Sequence, residues 1–180
     1  MEELEELRHR LETERPTGWE ELPDISLYMD QVIGYMPRQL IQYGEGERLT
    51  SAMVNNYIKD GLLPRAEGKR YSREHLSRLT AICALKQVLP VRDAGLLSSG
   101  VGESGPEAYA FFLSELDRAL KDTAQQLDPQ CEEADLPALA LSLALRSYAN
   151  KLACQRVLEL LRARRPQAGR SKKSRKDIKT

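Results

Sequence analysis

The chain has 180 residues, of which 41% are apolar and 30% charged, with 27 basic and 27 acidic side chains. These values indicate a globular protein with one ordinary domain, or a small domain and an appendage. The acidic N-terminus does not resemble a signal peptide, and no apolar run is long enough to span a bilayer. We therefore expect no membrane partner. Three widely spaced cysteines favour the reducing cytoplasm.

The zero net charge conceals two basic islands on an acidic protein. Residues 162–180 hold nine Lys or Arg and one acid, so the rest of the chain carries 18 bases against 26 acids. The second island, residues 48–78, has seven bases and three acids. Local positive charge of this kind is typical of surfaces that meet nucleic acid.

The first 21 residues form an acidic segment, with Leu4, Leu7 and Leu11 at helical spacing. After it, Ser26 is a plausible N-cap for a helix that continues to residue 43. We expect a kink or break in that helix at Pro37. A loop at 44–48 follows.

Residues 49–79 carry the most informative pattern. Thr50 is predicted to cap a helix over 50–60, which ends because Gly61 can adopt a positive φ at C′. Gly68 suits the tip of a tight reversal, which would let residues 64–65 and 70–71 pair as a small two-stranded wing. Ser72 then caps a helix to about Leu89. Together these elements predict a winged helix-turn-helix over 22–97.

A flexible joint at 98–105 separates this domain from a C-terminal helical region over 105–164, a hairpin or bundle. Asp135 is predicted to cap the last helix, which reaches about Arg164. Its first half, residues 138–145, is apolar nearly all round, so we expect it to be buried against several neighbours or a second subunit. A homodimer built on these helices is the expectation. The basic tail, residues 165–180, is predicted to be disordered.

The helix over 50–60 has two faces of different chemistry. Val54, Tyr57 and Ile58 point towards a core, whereas small, amide and basic side chains occupy the opposite side. Amides can pair with an adenine edge in the major groove, and Lys59 can meet a phosphate. The alternative is a merely solvated face.

Lys69, Arg70 and Arg73 project from the predicted wing region and could hold the DNA backbone. Alternatively, any exposed loop collects basic residues, and Tyr71 only packs beneath the wing. The predicted DNA-binding residues are Ser51, Ala52, Asn55, Asn56, Lys59, Lys69, Arg70, Tyr71 and Arg73.

Residues 55–79, NNYIKDGLLPRAEGKRYSREHLSRL, resemble the N-terminal winged helix of mercury-resistance-type (MerR) transcriptional regulators. The resemblance rests on Tyr57, on Gly61 to Pro64, and on Arg70-Tyr71-Ser72. It implies double-stranded DNA as the partner. The chain departs from that pattern at Asn55-Asn56, where those regulators usually carry Arg-Tyr.

Three motifs between residues 22 and 97 resemble a bacterial domain-of-unknown-function family, number 1836. They are LPDISLYMDQVIGYM, LTSAMVNNYIKDGLLPR and KRYSREHLSRLTAICALKQVL. This resemblance implies a shared domain and supplies no activity.

Enzymatic chemistry lacks the necessary residue patterns. The glycines at 100, 102 and 105 satisfy GxGxxG, but no strand precedes them, so a linker is the better interpretation. With only His9 and His75, and no cysteines at ligand spacing, we expect no metal and no cofactor. The sequence therefore predicts an all-α, non-enzymatic DNA-binding regulator of unknown effector. The main alternative is a protein-interaction module of winged-helix shape that does not bind DNA.

Overall fold

The computed structural model describes residues 2–41, 48–98, 105–128 and 130–164. Helices account for most of these residues and no strand forms among them, which confirms the all-α prediction. Three predicted features, the loop at 44–48, the joint at 98–105 and the tail at 165–180, lie wholly or mostly outside the described residues. The α-helices of the described part are α1 Glu2–Thr13, α2 Met29–Tyr35, α3 Ser51–Lys59, α4 Arg73–Leu85, α5 Val91–Ser98, α6 Pro106–Ala124 and α7 Leu136–Arg164.

The chain divides into a first unit, residues 1–136, and a second unit, residues 137–180. Helix α6 belongs to the first unit, where it packs on α1. An ion pair joins the segment after α1 to α6, with Arg15 Nε 2.7 Å from Asp117 Oδ1. The division between the two units therefore falls at the start of α7.

One apolar cluster forms the core of the first unit. Helices α2, α3, α4 and α6 contribute Val32, Val54, Leu76 and Tyr109 to it, all nearly inaccessible to solvent. Trp19 packs against this cluster from a short 3₁₀ helix, Trp19–Glu21. The core thus fixes the inner face of α3 and leaves its outer face to solvent.

The start of α2 differs from the sequence prediction. Its N-cap is Tyr28 rather than Ser26, and the Tyr28 amide donates to Gln31 Oε1 at 2.8 Å. The physical reason is a long-range pairing: Leu27 and Tyr71 exchange two backbone hydrogen bonds of 2.9 and 2.8 Å, which hold Leu27 extended. The predicted break at Pro37 is confirmed, because α2 gives way there to a 3₁₀ helix, Met36–Arg38.

The predicted two-stranded wing is not formed in the described residues. Residues 70–71 do not pair with 64–65; instead Arg70 pairs with Glu67, and Tyr71 pairs with Leu27. Glu67 and Arg70 exchange backbone hydrogen bonds of 3.2 and 2.9 Å across a two-residue turn. Gly68 and Lys69 have φ angles of 56° and 64°, as in a type I′ turn. We call residues 67–70 the basic turn.

The second unit contains most of α7, a helix of 29 residues. Seven of its large apolar side chains are exposed by 45% or more: Leu141, Leu145, Tyr148, Leu152, Val157, Leu160 and Leu161. The described residues of a single chain therefore leave much of the half 138–145 exposed, although the sequence led us to expect its burial. In the described part of the protein, no helix combines the length and the apolar character needed to cross a membrane.

Candidate nucleic-acid interface

Local signals define both ends of α3. The Thr50 hydroxyl accepts a hydrogen bond from the Met53 amide at 3.3 Å, which satisfies one of the free donors of the first turn. At the other end, Gly61 adopts a φ of 74°, and its amide donates to the Ile58 carbonyl at 3.1 Å. Both caps were predicted from the sequence, and both are confirmed.

The two faces of α3 have the predicted burial. Val54 is 0% and Tyr57 4% exposed, and Ile58 is partly buried against the same core. All five predicted DNA-contacting residues of this helix are exposed: Ser51, Ala52, Asn55, Asn56 and Lys59. The helix thus presents small, amide and ammonium groups to solvent along one side.

The basic turn presents Lys69 and Arg70, which are both exposed. Tyr28 holds Arg70 in place: Arg70 Nη2 donates to Tyr28 Oη at 2.9 Å, and the guanidinium lies 4.9 Å from the centre of the Tyr28 ring. Such a cation–π contact restricts the long side chain without neutralising its charge. The sequence did not indicate this role of Tyr28, because no local pattern links Tyr28 to a residue so distant in the chain.

Two of the predicted contact residues are engaged elsewhere. Tyr71 is 4% exposed and belongs to the core, and burial raises the pKa of its hydroxyl. Arg73 is half-buried, lies 3.4 Å from Glu20 Oε2, and has its guanidinium 5.9 Å from the Trp19 ring centre. The structure therefore leaves seven of the nine predicted residues on the accessible surface.

His75, in the first turn of α4, contacts the two residues that follow the basic turn. Its Nδ1 accepts a hydrogen bond from the Ser72 amide at 3.0 Å, and its ring meets the Tyr71 ring edge-on at 5.4 Å. Because Nδ1 accepts, the imidazole is neutral there. Burial is the main cause that lowers the pKa of His75.

The local electrostatics favour a polyanion. Exposed bases outnumber exposed acids between Lys59 and Arg70; the bases are Lys59, Arg65, Lys69 and Arg70, and the acids are Asp60 and Glu67. Within the described residues, none of these four bases forms an ion pair with an acidic side chain. Their charges are available to phosphates at little desolvation cost.

Helix α3 and the basic turn are anchored on the same core. Val54 and Tyr57 of α3 belong to it, as do Leu63, just before the turn, and Tyr71, just after it. Leu63 is also tied back to α3, because its amide donates to the Tyr57 carbonyl at 3.2 Å. An arrangement fixed at these points can present base-reading and phosphate-binding groups from one scaffold. Among the described residues, no group of three His, Cys, Asp or Glu side chains could hold a metal ion.

Residues 17–104 match the family model DUF1836, a domain of unknown function. The match confirms the predicted relationship over this part of the chain, which contains α3 and the basic turn. No curated protein and no solved structure matches the chain. The resemblance to mercury-resistance-type regulators thus finds no support in these comparisons.

Proposed function

We propose that the protein is a cytoplasmic, non-enzymatic transcriptional regulator that binds double-stranded DNA as a homodimer. Helix α3 enters the major groove, and the basic turn holds the adjacent backbone in the role of a wing. An α-helix with its side chains is about 10–12 Å across, which suits a groove about 12 Å wide.

The observation that carries the proposal is the exposed amide pair on α3. Asn55 and Asn56 stand side by side on the outer face, with Lys59 one turn further on. Asn is unfavourable inside a helix by about half a kcal/mol relative to Ala, and an exposed position gains nothing from it by packing. An amide that offers a donor and an acceptor together can pair with an adenine edge, so function explains the choice better than stability does.

The phosphate contacts proposed here differ from those that the sequence pattern indicated. Arg73 is paired with Glu20 and Tyr71 lies in the core. Lys69 and Arg70 therefore make the backbone contacts, and Arg65 is available as a third. The stacking of Arg70 on Tyr28 supports this assignment, because a pre-ordered guanidinium loses less entropy on binding.

A salt titration tests the proposal. Affinity for a mixed-sequence duplex is measured between roughly 50 and 200 mM salt, and each phosphate contact adds about 0.9 to the slope. The double variant Lys69→Ala/Arg70→Ala should flatten the slope by about 2. Arg118→Ala/Lys121→Ala is the matched control, since it removes two exposed positive charges from α6 and should leave the slope unchanged. A wild-type slope in the first variant would remove the basic turn from the interface.

An interaction module without DNA binding is the second candidate. The observation in its favour is the acidic character of the chain outside residues 162–180, where 26 acids oppose 18 bases. Sedimentation with and without duplex DNA at low salt separates the two candidates. The regulator requires a DNA-dependent shift, and the interaction module predicts none.

A further inference from the structure

Helix α7 carries an apolar stripe on its solvent side. Leu141, Leu145, Tyr148 and Leu152 follow each other at intervals of four, three and four residues, and their exposed fractions are 61, 57, 61 and 49%. This spacing is that of the a and d positions of a coiled coil, which lie along one narrow seam. We call these four residues the α7 stripe.

The rest of the helix shows that the stripe is a separate surface. The partly buried residues Leu139, Leu143 and Cys154 lie on the other side of α7 at helical spacing. The stripe also ends in both directions along the helix. The next a and d positions hold Ala138 before it and Gln155 and Glu159 after it. The exposed seam is therefore four apolar residues long, with small or polar residues beyond.

We infer that the α7 stripe binds the same stripe of a second copy of this chain, with the two helices antiparallel. In that register Leu141 faces Leu152 of the other copy, and Leu145 faces its Tyr148. All four side chains then meet apolar partners, and none is left at the end of the seam. The inference deepens the proposed homodimer but does not rest on DNA binding.

The residues that flank the stripe favour a helix that approaches closely. Three of the four flanking positions between Leu141 and Leu152 hold small residues, Ser142, Ala144 and Ala149, and the fourth holds Lys151. Small side chains at these positions let two helices come together with little steric hindrance. A membrane-surface helix would instead carry basic residues along both edges of its apolar face. Lys151 is the one basic residue that flanks the stripe between Leu141 and Leu152, so the borders of the stripe fit another α7 better than a lipid surface.

Charge selects the antiparallel orientation. In a parallel pair, Lys151 of each copy would face Arg156 of the other, and the two Glu159 side chains would meet at the seam. In the antiparallel pair, Lys151 faces Ala144, and Glu159 lies beyond the apolar layers. Like charges are thereby separated, so electrostatic repulsion penalises the parallel arrangement alone.

The chain's own C-terminus is poorly suited to cover the stripe. Residues 165–180 contain seven Lys or Arg, and Ile178 is their one large apolar side chain. Lys151 and Arg156 at the stripe's border would repel such a segment. A second copy supplies what the tail lacks, namely four large apolar groups at matching spacing.

Sedimentation of the full chain without DNA tests the interface. The wild-type protein should be a dimer at tens of micromolar, and Leu145→Asp/Tyr148→Asp should be a folded monomer. Val157→Asp is the matched control, because Val157 is 54% exposed on α7 but lies outside the stripe. It should leave the dimer intact. A monomeric wild-type chain, including one that binds anionic vesicles instead, overturns the inference.

Substitution of Ala144 tests the orientation. In the antiparallel dimer Ala144→Glu gains two attractions to Lys151 and should lower the dissociation constant roughly 3- to 10-fold, whereas Ala144→Lys should raise it by a similar factor. The same changes at Ala153, which is exposed outside the stripe, should alter it little. Equal effects of Glu and Lys at position 144 would exclude the antiparallel register, since Ala144 would then face the uncharged Ala149. A dimer that fails to bind DNA would contradict the proposed regulator and leave this inference standing.

Discussion

The outward faces of α3 and α7 are both exposed in the single chain, yet their chemistry is opposite. Helix α3 turns Asn55, Asn56 and Lys59 to solvent and buries its apolar side. Helix α7 turns four large apolar residues outward. Water can form hydrogen bonds with all the polar groups on the α3 face, so the exposure of that face does not by itself indicate a partner. Exposure of the second face to water is unfavourable, which makes association the simplest explanation of its sequence.

The two exposed helices thus suggest partners for different physical reasons. The apolar face of α7 favours association on thermodynamic grounds, because binding removes its apolar area from water. The polar face of α3 suggests a partner through its choice of residues, because Ala or Glu would stabilise a solvated helix better than two adjacent amides.

The largest effect is expected where a leucine of the core is compared with a leucine of the stripe. Leu76→Ala removes a side chain that is 0% exposed and should lower the free energy of unfolding by about 2–5 kcal/mol. Leu145→Ala removes one that is 57% exposed and should cost the monomer less than about 0.5 kcal/mol. Urea unfolding at low protein concentration measures both. If Leu145→Ala were as costly as Leu76→Ala at every concentration, the stripe would be part of a monomer core.

The next effect separates recognition from stability on α3. After selection of a preferred duplex, Asn55→Ala or Asn56→Ala should each weaken its binding by about 1–3 kcal/mol. The same change should stabilise the helix by about half a kcal/mol, because Ala is the better helix former. Opposite signs in the two measurements exclude partial unfolding as the cause.

Lys59→Ala is the control for this experiment. It should weaken all duplexes alike, because a phosphate contact carries no sequence information. Asparagine variants that lower the affinity for every duplex equally would instead show that the amides do not read bases.

Local chemistry made much of α3 predictable. Its period-3.6 pattern identified Val54 and Tyr57 as core residues, and Thr50 and Gly61 marked its ends. Gly68 likewise predicted a tight turn with positive φ, which the structure contains. These signals act within a few residues, so the sequence displays them directly.

The remaining features depend on contacts between distant residues. Tyr71 pairs with Leu27 instead of with the predicted wing partner, and the same pairing explains why α2 starts later than predicted. Arg70 was predicted to be exposed, but its support by Tyr28 was not. The pairing of Arg15 with Asp117, 102 residues further along the chain, was not predicted either. Sequence periodicity identifies which face of a helix is apolar, but not which neighbour, or which other copy, covers it.

The stability of the first unit should depend on pH through His75, which lies next to the basic turn. Because burial lowers the pKa of His75, the unfolded chain takes up a proton at this residue more readily than the folded chain. Its contribution to stability is complete above the unfolded pKa of about 6.5 and is lost as the pH falls through the folded value. Urea unfolding at pH 7.5 and 5 should show a weaker pH dependence for His75→Gln, whose amide oxygen can still accept from Ser72. His9→Gln, at an exposed position of α1, is the matched control.

The pH dependence of folding should be separable from that of dimerisation. The α7 stripe consists of three leucines and a tyrosine and contains no His, Asp or Glu, so dimerisation measured with folded protein should change little between pH 5 and 8. If the dimer dissociated at pH 5 while the first unit stayed folded, groups outside the stripe would have to control association.

The smallest effect concerns Lys69, which is held at a φ of 64° that favours glycine. A left-handed conformation costs a residue with a Cβ about 1 kcal/mol, so Lys69→Gly should stabilise the fold by about that amount. It should also reduce the salt slope of DNA binding by about 1, because one phosphate contact is lost. Lys69→Ala should reduce the slope equally without the gain in stability. A strained backbone that carries a lysine where glycine would be more stable is what a phosphate-binding turn predicts. If Lys69→Gly improved stability and left the salt slope of DNA binding unchanged, the strain at Lys69 would not serve phosphate binding.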